Sequence, residues 1–575
     1  MPRKASRVLL TTCVFLSIVC FKSLLDRFID RRSNPNIIEV GKSNNAKVVD
    51  KKLRLANREL SARGFNLSSR IRSEISSTYR YSDTPEQEEL KTSFNSNPRA
   101  DSLAKASVQQ GFNVFKHHWC RMQRARLEWE SLLGACLTST KWEEPKDVRL
   151  GINQFSDPSK SFISHWDIGN AGEFSRFLIQ TVSTSNTEKN IGGDSWRIHI
   201  SGPSSLAPSV LDHGNGSYEV LFLIMEHGDY EAKIFLDYTL CNGFKDPPFY
   251  WFKKGNSQGK NQPDGVLKGD RPYLIAPFRN GEKITFNVPS SENNMRNIDA
   301  LTKEVSSKST RLQQYTCDAS CGTLLWDGLG RWVNGQWKPY IKDRTQKDTR
   351  NKEGVFFTFG DSISNAFYGS LVAGPYKELC NTAFIACRAV YHWVYDMKGY
   401  WGDGVTSPRE PLPDEMDYDH ELVMRDLKKT LFNPDMTEKS VLLLNIGIHF
   451  AAAVNFTDYK RVIDQLINLV IGKTNHPNAD GTFKGRFIWK STSAIHRERF
   501  PNPHKDVRRF LTFSRVKLYN AYATSAMCRA GIDVIDVHPI SESYPLGTAS
   551  ASDPVHYANV VFRDVEALLS RLFSP

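Results

Sequence analysis

The stretch Val355-Phe356-Phe357-Thr358-Phe359-Gly360-Asp361-Ser362 is apolar but for one threonine until it breaks at Gly-Asp-Ser. A short run without polar alternation marks a strand buried on both faces. Three further segments share the pattern, at 441–446, 486–490 and 532–537. Helical stretches separate them, among them 459–471 and 515–530. Buried strands alternating with helices predict a parallel sheet covered on both sides, an α/β domain over residues 340–575. In such a sheet the functional groups gather at the carboxyl ends of the strands.

Ser362 stands at such an end, where a helix N-terminus brings unpaired backbone N–H groups. A serine hydroxyl needs a base to become a nucleophile. Near the C-terminus, Asp553-Pro554-Val555-His556 precedes a last amphipathic helix. Three residues apart, Asp553 and His556 can face one site, the carboxylate orienting the imidazole and the imidazole deprotonating Ser362. Asn445 ends its strand and is read as an oxyanion donor beside the Ser362 backbone N–H. Taken singly, each has a bland reading: Gly-Asp-Ser is a common turn and cap, Asp553 a helix cap, Asn445 a turn residue. Their order within one α/β domain favours catalysis. His538, in Asp536-Val537-His538-Pro539, is a rival base ranked below His556. Gly360-Asp361-Ser362-Ile363-Ser364 lacks the second glycine of G-x-S-x-G, which disfavours the α/β-hydrolase elbow.

Residues 145–300 read differently. Segment 148–152 is short and apolar, Trp196-Arg197-Ile198-His199-Ile200 alternates with period two, and strands at 218–223 and 230–236 follow glycine-containing turns. This predicts an antiparallel β-sandwich with a hairpin between the last two strands. Asp212-His213-Gly214-Asn215-Gly216-Ser217-Tyr218-Glu219-Val220, followed by Gly228-Asp229-Tyr230-Glu231-Ala232-Lys233-Ile234, resembles a filamin-type, immunoglobulin-like repeat. Such modules more often bind or position than catalyse.

The order strand–Gly-Asp-Ser, strand–Asn, Asp-x-x-His resembles the SGNH/GDSL-like hydrolases, and more closely their PC-esterase branch. Trp326-Asp327-Gly328-Leu329-Gly330-Arg331-Trp332 looks like that branch's G-x-W element, and Asn445-Ile446-Gly447-Ile448-His449 like its N-x-G-x-H strand end. With the filamin-like region and an N-terminal anchor, the chain resembles the neurexophilin and PC-esterase domain family over most of residues 110–575. The resemblance implies an SGNH-like, flavodoxin-like parallel sheet. It also implies transfer or removal of O-acyl groups, usually O-acetyl, on glycan hydroxyls in the secretory pathway. Gly369 and Gly374 follow the nucleophile, and Gly374 is taken as the candidate second oxyanion glycine. His449 is read as a substrate contact, with a core histidine as the competing reading.

The N-terminus carries Arg3, Lys4 and Arg7, then an apolar run at 8–25, 18 residues long. That length is near the lower limit for a spanning helix, and the flanking cations orient the remainder of the chain toward the lumen. A cleaved signal peptide competes, but no A-x-A-like site comes after the run. The expected order is a cytosolic tail (1–7), a signal anchor (8–25), a partly disordered polar stem (26–110), the sandwich and the catalytic domain. This makes a single-pass type II protein of the Golgi or another secretory membrane, or alternatively a secreted one. Sequons at Asn66, Asn215 and Asn455 mark candidate glycosylation sites. Outside the apolar run stand eight cysteines, an even set suited to disulfides, with Cys317–Cys321 and Cys380–Cys387 spaced as local loops.

Residues 1–130 hold 24 Lys and Arg against 13 Asp and Glu, which is +11 of the chain's net +12. Charge confined to a stem argues against a nucleic-acid partner. No H-E-x-x-H or paired C-x-x-C occurs, so no metal site is expected. No bound cofactor is expected either; an acyl donor such as acetyl-CoA enters as co-substrate and a glycan or glycoprotein as acceptor. The competing class is a non-catalytic secreted or cell-surface protein that binds through the sandwich and keeps a relic esterase domain.

Overall fold

The computed structural model describes residues 100–141, 154–247, 273–307, 317, 324–341, 347–392, 397–401, 418–472, 483–499 and 509–575. The tail, the anchor, the stem up to 99, Asn66, Cys321 and the strand expected at 148–152 lie outside the described residues. Among the described residues no helix is long and apolar enough to cross a membrane.

The C-terminal half is built on a seven-stranded sheet. Its order is Leu324–Trp326, Asp533–Ile535, Arg486–Lys490, Val441–Leu444, Val355–Gly360, Ala386–His392, Met397–Trp401. The first six are parallel, and only Met397–Trp401 runs antiparallel. Val355–Gly360 is central and fully buried, as its composition requires. Its side chains divide with period two. Val355, Phe357 and Phe359 join a core with Leu442, Leu444 and Trp489, under helices Phe456–Val470 and Phe513–Arg529. Phe356 joins Val441, Leu443 and Ile488 on the opposite face, under helices Ser362–Ala373 and Arg563–Phe573. Val355–Gly360 is followed by its neighbour on one side, Ala386–His392, and then by its neighbour on the other, Val441–Leu444. A crevice therefore opens at its carboxyl end.

The preceding region forms two antiparallel sheets around a core that includes Phe177, Trp196, Ile198, Val220, Phe222 and Ile234. Ser195–Ser201 alternates in burial along its length, as its sequence predicts. Ser209–Asp212 and Ser217–Leu223 pair across the first glycine-rich turn. The hairpin expected between the last two strands does not form. Ser217–Leu223 pairs with Phe174–Gln180, whereas Gly228–Tyr238 pairs with Ser195–Ser201 in the opposite sheet. Burial explains the difference. Ser217–Leu223 is buried on both faces, Val220 and Phe222 toward the sandwich core and Leu221 and Leu223 toward Phe115 and Trp119 of helix Ala100–Arg124. The turn between the two strands therefore crosses from sheet to sheet.

The two layers belong to one compact unit, Asn97–Pro575. Between them, Arg515 is fully buried and satisfied by Asp246 (2.5 Å) and by the carbonyls of Ala451 (2.9 Å) and Val454 (2.7 Å). Arg197 of the sandwich binds Asp237 (2.9 Å) and reaches Glu498 (3.2 Å). Gly330–Val333 and Gln336–Pro339 form a hairpin on the sandwich sheet, although Leu324–Trp326 just before them edges the parallel sheet. Trp332 Nε1 then donates to the Ile540 carbonyl (3.0 Å).

Disulfides Cys120–Cys317, Cys136–Cys241 and Cys380–Cys387 are present. Cys380–Cys387 is the local loop its spacing suggests. Cys317 instead ties the stretch after the sandwich back to helix Ala100–Arg124, so the expected Cys317–Cys321 loop is not formed. These bonds suit an extracellular or secretory-pathway domain.

Candidate active site

Gly360 turns the chain from the central strand into helix Ser362–Ala373. A Cβ there would overlap the Ser364 hydroxyl and lie 2.9 Å from the Asn445 carbonyl oxygen, so the turn admits only glycine. Asp361 caps the helix, its Oδ1 accepting from Ile363 N (3.0 Å). Ser362 heads the helix at the sheet's carboxyl edge, its amide without an intrahelical acceptor.

Opposite it, Asp553 closes a tight turn. Its Oδ1 accepts from the backbone N–H of Val555 (2.9 Å) and His556 (3.1 Å). His556 Nδ1 lies 2.8 Å from Asp553 Oδ2, and its Nε2 lies 2.7 Å from Ser362 Oγ. Partial burial pushes the Asp553 pKa up, but the two backbone hydrogen bonds and the imidazole outweigh it and hold the carboxyl below the usual range. With an ionised carboxylate at Nδ1, that nitrogen carries the proton, and Ser362 donates its hydroxyl hydrogen to Nε2.

Several contacts fix the turn. Arg499 donates to the carbonyls of Leu546 (2.5 Å), Thr548 (2.6 Å) and Ser550 (3.3 Å). Thr548 Oγ1 donates to the Asp553 carbonyl, and Ala549 N to the His556 carbonyl (2.8 Å). His496 N reaches the Pro554 carbonyl (2.8 Å) and Tyr557 Oη the Ala494 carbonyl (3.0 Å). Arg499 was missed in the sequence because it lies about fifty positions from the residues it holds, with no local motif to mark it.

Other sequence candidates fall elsewhere. Asn445 lies abreast of Gly360, its backbone N donating to the Phe359 carbonyl (2.9 Å). Its side-chain Nδ2, however, donates to the Lys490 carbonyl (2.8 Å) and the Thr492 hydroxyl (3.0 Å). Both amide hydrogens are thus committed, and Asn445 joins strand ends rather than offering an oxyanion donor. Gly447 is required because a Cβ there would overlap Thr492. Gly374 closes helix Ser362–Ala373, donating to the Ser370 carbonyl (2.8 Å). It lies about 18 Å along the helix axis from Ser362, which excludes it from an oxyanion hole, and Gly369 sits inside the same helix.

His538 is buried away from Ser362, its Nδ1 near the Thr492 carbonyl (3.1 Å) and Asn520 (3.2 Å), and burial lowers its pKa. His449 is half-buried on the short helix Ile448–Ala453 beyond Asn445. Asn215 is exposed at a hairpin turn. Asn455 instead caps helix Phe456–Val470, its Oδ1 accepting from Asp458 N (2.8 Å) and its Nδ2 donating to the Asp458 carboxylate (2.5 Å).

No family model matches the chain. A crystal structure of the Lin-41 filamin domain is similar over 14% of this chain and 82% of that one, at 12% identity and a TM-score of 0.13. A putative glycoside hydrolase from Bacteroides vulgatus ATCC 8482 is similar over 57% of this chain and 50% of that one, at 10% identity and a TM-score of 0.15. The chain thus matches half the length of the second. Scores this low carry nothing about function.

Proposed function

We propose that the protein is a serine O-acyltransferase or esterase of the SGNH type, acting on O-acetyl groups of glycans in the secretory pathway. The observation that carries the reading is the continuous Asp553–His556–Ser362 relay, with links of 2.8 and 2.7 Å. The sheet order supports it: without its edge strand Leu324–Trp326, the parallel sheet has the flavodoxin-like order 2-1-3-4-5, with Ser362 at the end of strand 1. The disulfides agree with a lumenal or extracellular setting.

Ser362 Oγ attacks the acyl carbonyl while His556 Nε2 takes its proton, and Asp553 stabilises the imidazolium. The Ser362 amide, at the positive end of its helix, faces the developing oxyanion. His556 then protonates the leaving alcohol or thiol, leaving an acyl-enzyme. A sugar hydroxyl or water, deprotonated by His556, attacks that ester and regenerates Ser362.

The test is the full-length chain with an aryl acetate, beside Ser362→Ala and His556→Ala. Expected is turnover by the wild type alone, with an acetyl group trapped on the Ser362 peptide. Folded wild-type protein as inert as both variants overturns the reading and favours a binding protein. Glycan acceptors added to an active enzyme decide transfer against hydrolysis.

A further inference from the structure

Arg197, on strand Ser195–Ser201 of the sandwich, holds Asp237 with two donors, Nε at 2.9 Å and Nη2 at 3.2 Å. The guanidinium is planar, so this two-point grip fixes where its remaining edge points. That edge faces the other layer, where Nη1 donates to Glu498 Oε1 (3.2 Å), 301 positions further along the chain. The same oxygen lies 3.0 Å from His496 Nδ1. Burial pushes the Glu498 pKa up, but the His496 hydrogen bond and the Arg197 charge outweigh it and hold the carboxyl down at about 2. Glu498 is thus an ionised acceptor that ties His496 to the sandwich. His496 in turn donates its backbone N–H to the Pro554 carbonyl (2.8 Å), inside the turn from Asp553 to His556. Its ring meets that of Tyr557, the residue after the catalytic base, at 6.0 Å. The sandwich also grips the start of this loop: Ser205 Oγ donates to the Ser543 carbonyl (3.1 Å), and Ala207 N to Ser543 Oγ (3.0 Å).

We infer that Arg197 is a positioning residue for catalysis: through Glu498 and His496 it holds the turn that sets His556 against Ser362, which makes the sandwich a working part of the active site. The inference rests on the acyl-transfer reading above. Residues 543–558 contain no helix or strand, so no backbone ladder fixes the loop and its place depends on groups reaching in from outside. A shift of about 1 Å at His556 would break its contact with Ser362, a misplacement that costs on the order of 10²-fold in rate. Proton transfer needs that contact and substrate binding does not, so the loss falls on kcat rather than KM.

The experiment is steady-state hydrolysis of p-nitrophenyl acetate by the full-length wild type, Arg197→Ala, Glu498→Ala, the double variant and Val220→Ala, each with its urea unfolding midpoint. Each single variant in the relay should lower kcat by about fivefold or more with KM within about threefold. The double variant should lose little beyond the worse single, because both changes cut one connection. Val220→Ala removes packing from the sandwich core on the opposite sheet, away from the relay. It should lower the unfolding midpoint and leave kcat within about twofold. Glu498→Ala keeps the Arg197–Asp237 pair and decides alone if Arg197→Ala does not fold. A smaller fall in kcat for folded Glu498→Ala, or an equal fall for Val220→Ala, overturns the positioning role and leaves Ser362 chemistry standing. A folded wild type inert toward the ester overturns the acyl-transfer reading and this inference with it.

Discussion

His556 Nε2 meets Ser362 Oγ at 2.7 Å although 194 positions separate them in the chain. The contact joins the first turn of one helix to the loop before the last, both at the crevice above the central strand. Asp553 completes the relay from within the same loop. Asp553→Asn keeps most of the shape but removes the charge that fixes the proton on Nδ1. We expect kcat to fall about 10³- to 10⁴-fold with KM little changed, measured by steady-state ester hydrolysis. A fall of less than tenfold would show that the carboxylate does not set the tautomer.

Asn445 gives a second prediction. Its amide hydrogens bind the Lys490 carbonyl and the Thr492 hydroxyl, so Asn445→Ala leaves buried acceptors unsatisfied. Stability should drop by about 1–3 kcal/mol in urea unfolding, alongside any loss of rate. An oxyanion donor would behave otherwise, losing kcat with no change in the unfolding midpoint.

The parallel sheet was legible from Val355–Gly360, apolar but for Thr358, and from Val441–Leu444, apolar throughout, whereas the neighbouring strand Ala386–His392 carries Arg388 and His392 and gave no such signal. The Ser362, Asp553 and His556 cluster was legible for a local reason: Asp553 and His556 share one turn, and Ser362 comes directly after a strand. The hairpin at 218–236 was not, since sheet membership depends on what covers each face, and helix Ala100–Arg124 covers one side of Ser217–Leu223. Nor was the role of Asn445, because its partners Lys490 and Thr492 come from another strand end. Gly374 misled because sequence proximity to Ser362 hides the length of the intervening helix.

Lys490 is buried at the end of its strand, and desolvation lowers its pKa to about 8, with Asp361 opposing the shift. A depressed lysine pKa means the unfolded chain binds the extra proton between pH 8 and 10.5. The penalty on stability is therefore fully present below pH 8 and is relieved as pH rises toward 10.5, an effect of about 3 kcal/mol. Lys490→Met should unfold at higher denaturant than wild type at pH 7, and the gap should shrink to below about 1 kcal/mol at pH 10. A gap independent of pH would assign the gain to packing instead.

The disulfides should rank by the chain they close. Cys120–Cys317 spans 197 positions and Cys380–Cys387 only 7. Chain-entropy arguments give about 5 kcal/mol for the first and about 2 kcal/mol for the second. Paired Cys→Ser replacements, compared by thermal unfolding, should show the larger loss at Cys120/Cys317. The reverse order would mean that strain or residual structure outweighs loop closure.

Arg499 touches neither Ser362 nor His556, yet it holds three carbonyls of the loop that carries Asp553. Arg499→Ala should lower kcat tenfold or more with KM within threefold, and Arg499→Lys should recover only part of it, since one ammonium cannot span the three acceptors. Full recovery in Lys would show that a single charge holds the loop and that the planar fork is not needed. Unchanged kcat in Ala would show that the loop keeps its shape without the brace.

Leu324–Trp326 edges the parallel sheet, while the next hairpin along the chain, Gly330–Val333 with Gln336–Pro339, extends the sandwich. A scission anywhere near residue 340 would strip the outermost strand from Asp533–Ile535 and bare a row of unpaired peptide groups. The liberated half would be adhesive rather than merely less active. Recombination that swaps one layer for a foreign one would meet the same obstacle, so the two layers are bound to be inherited together.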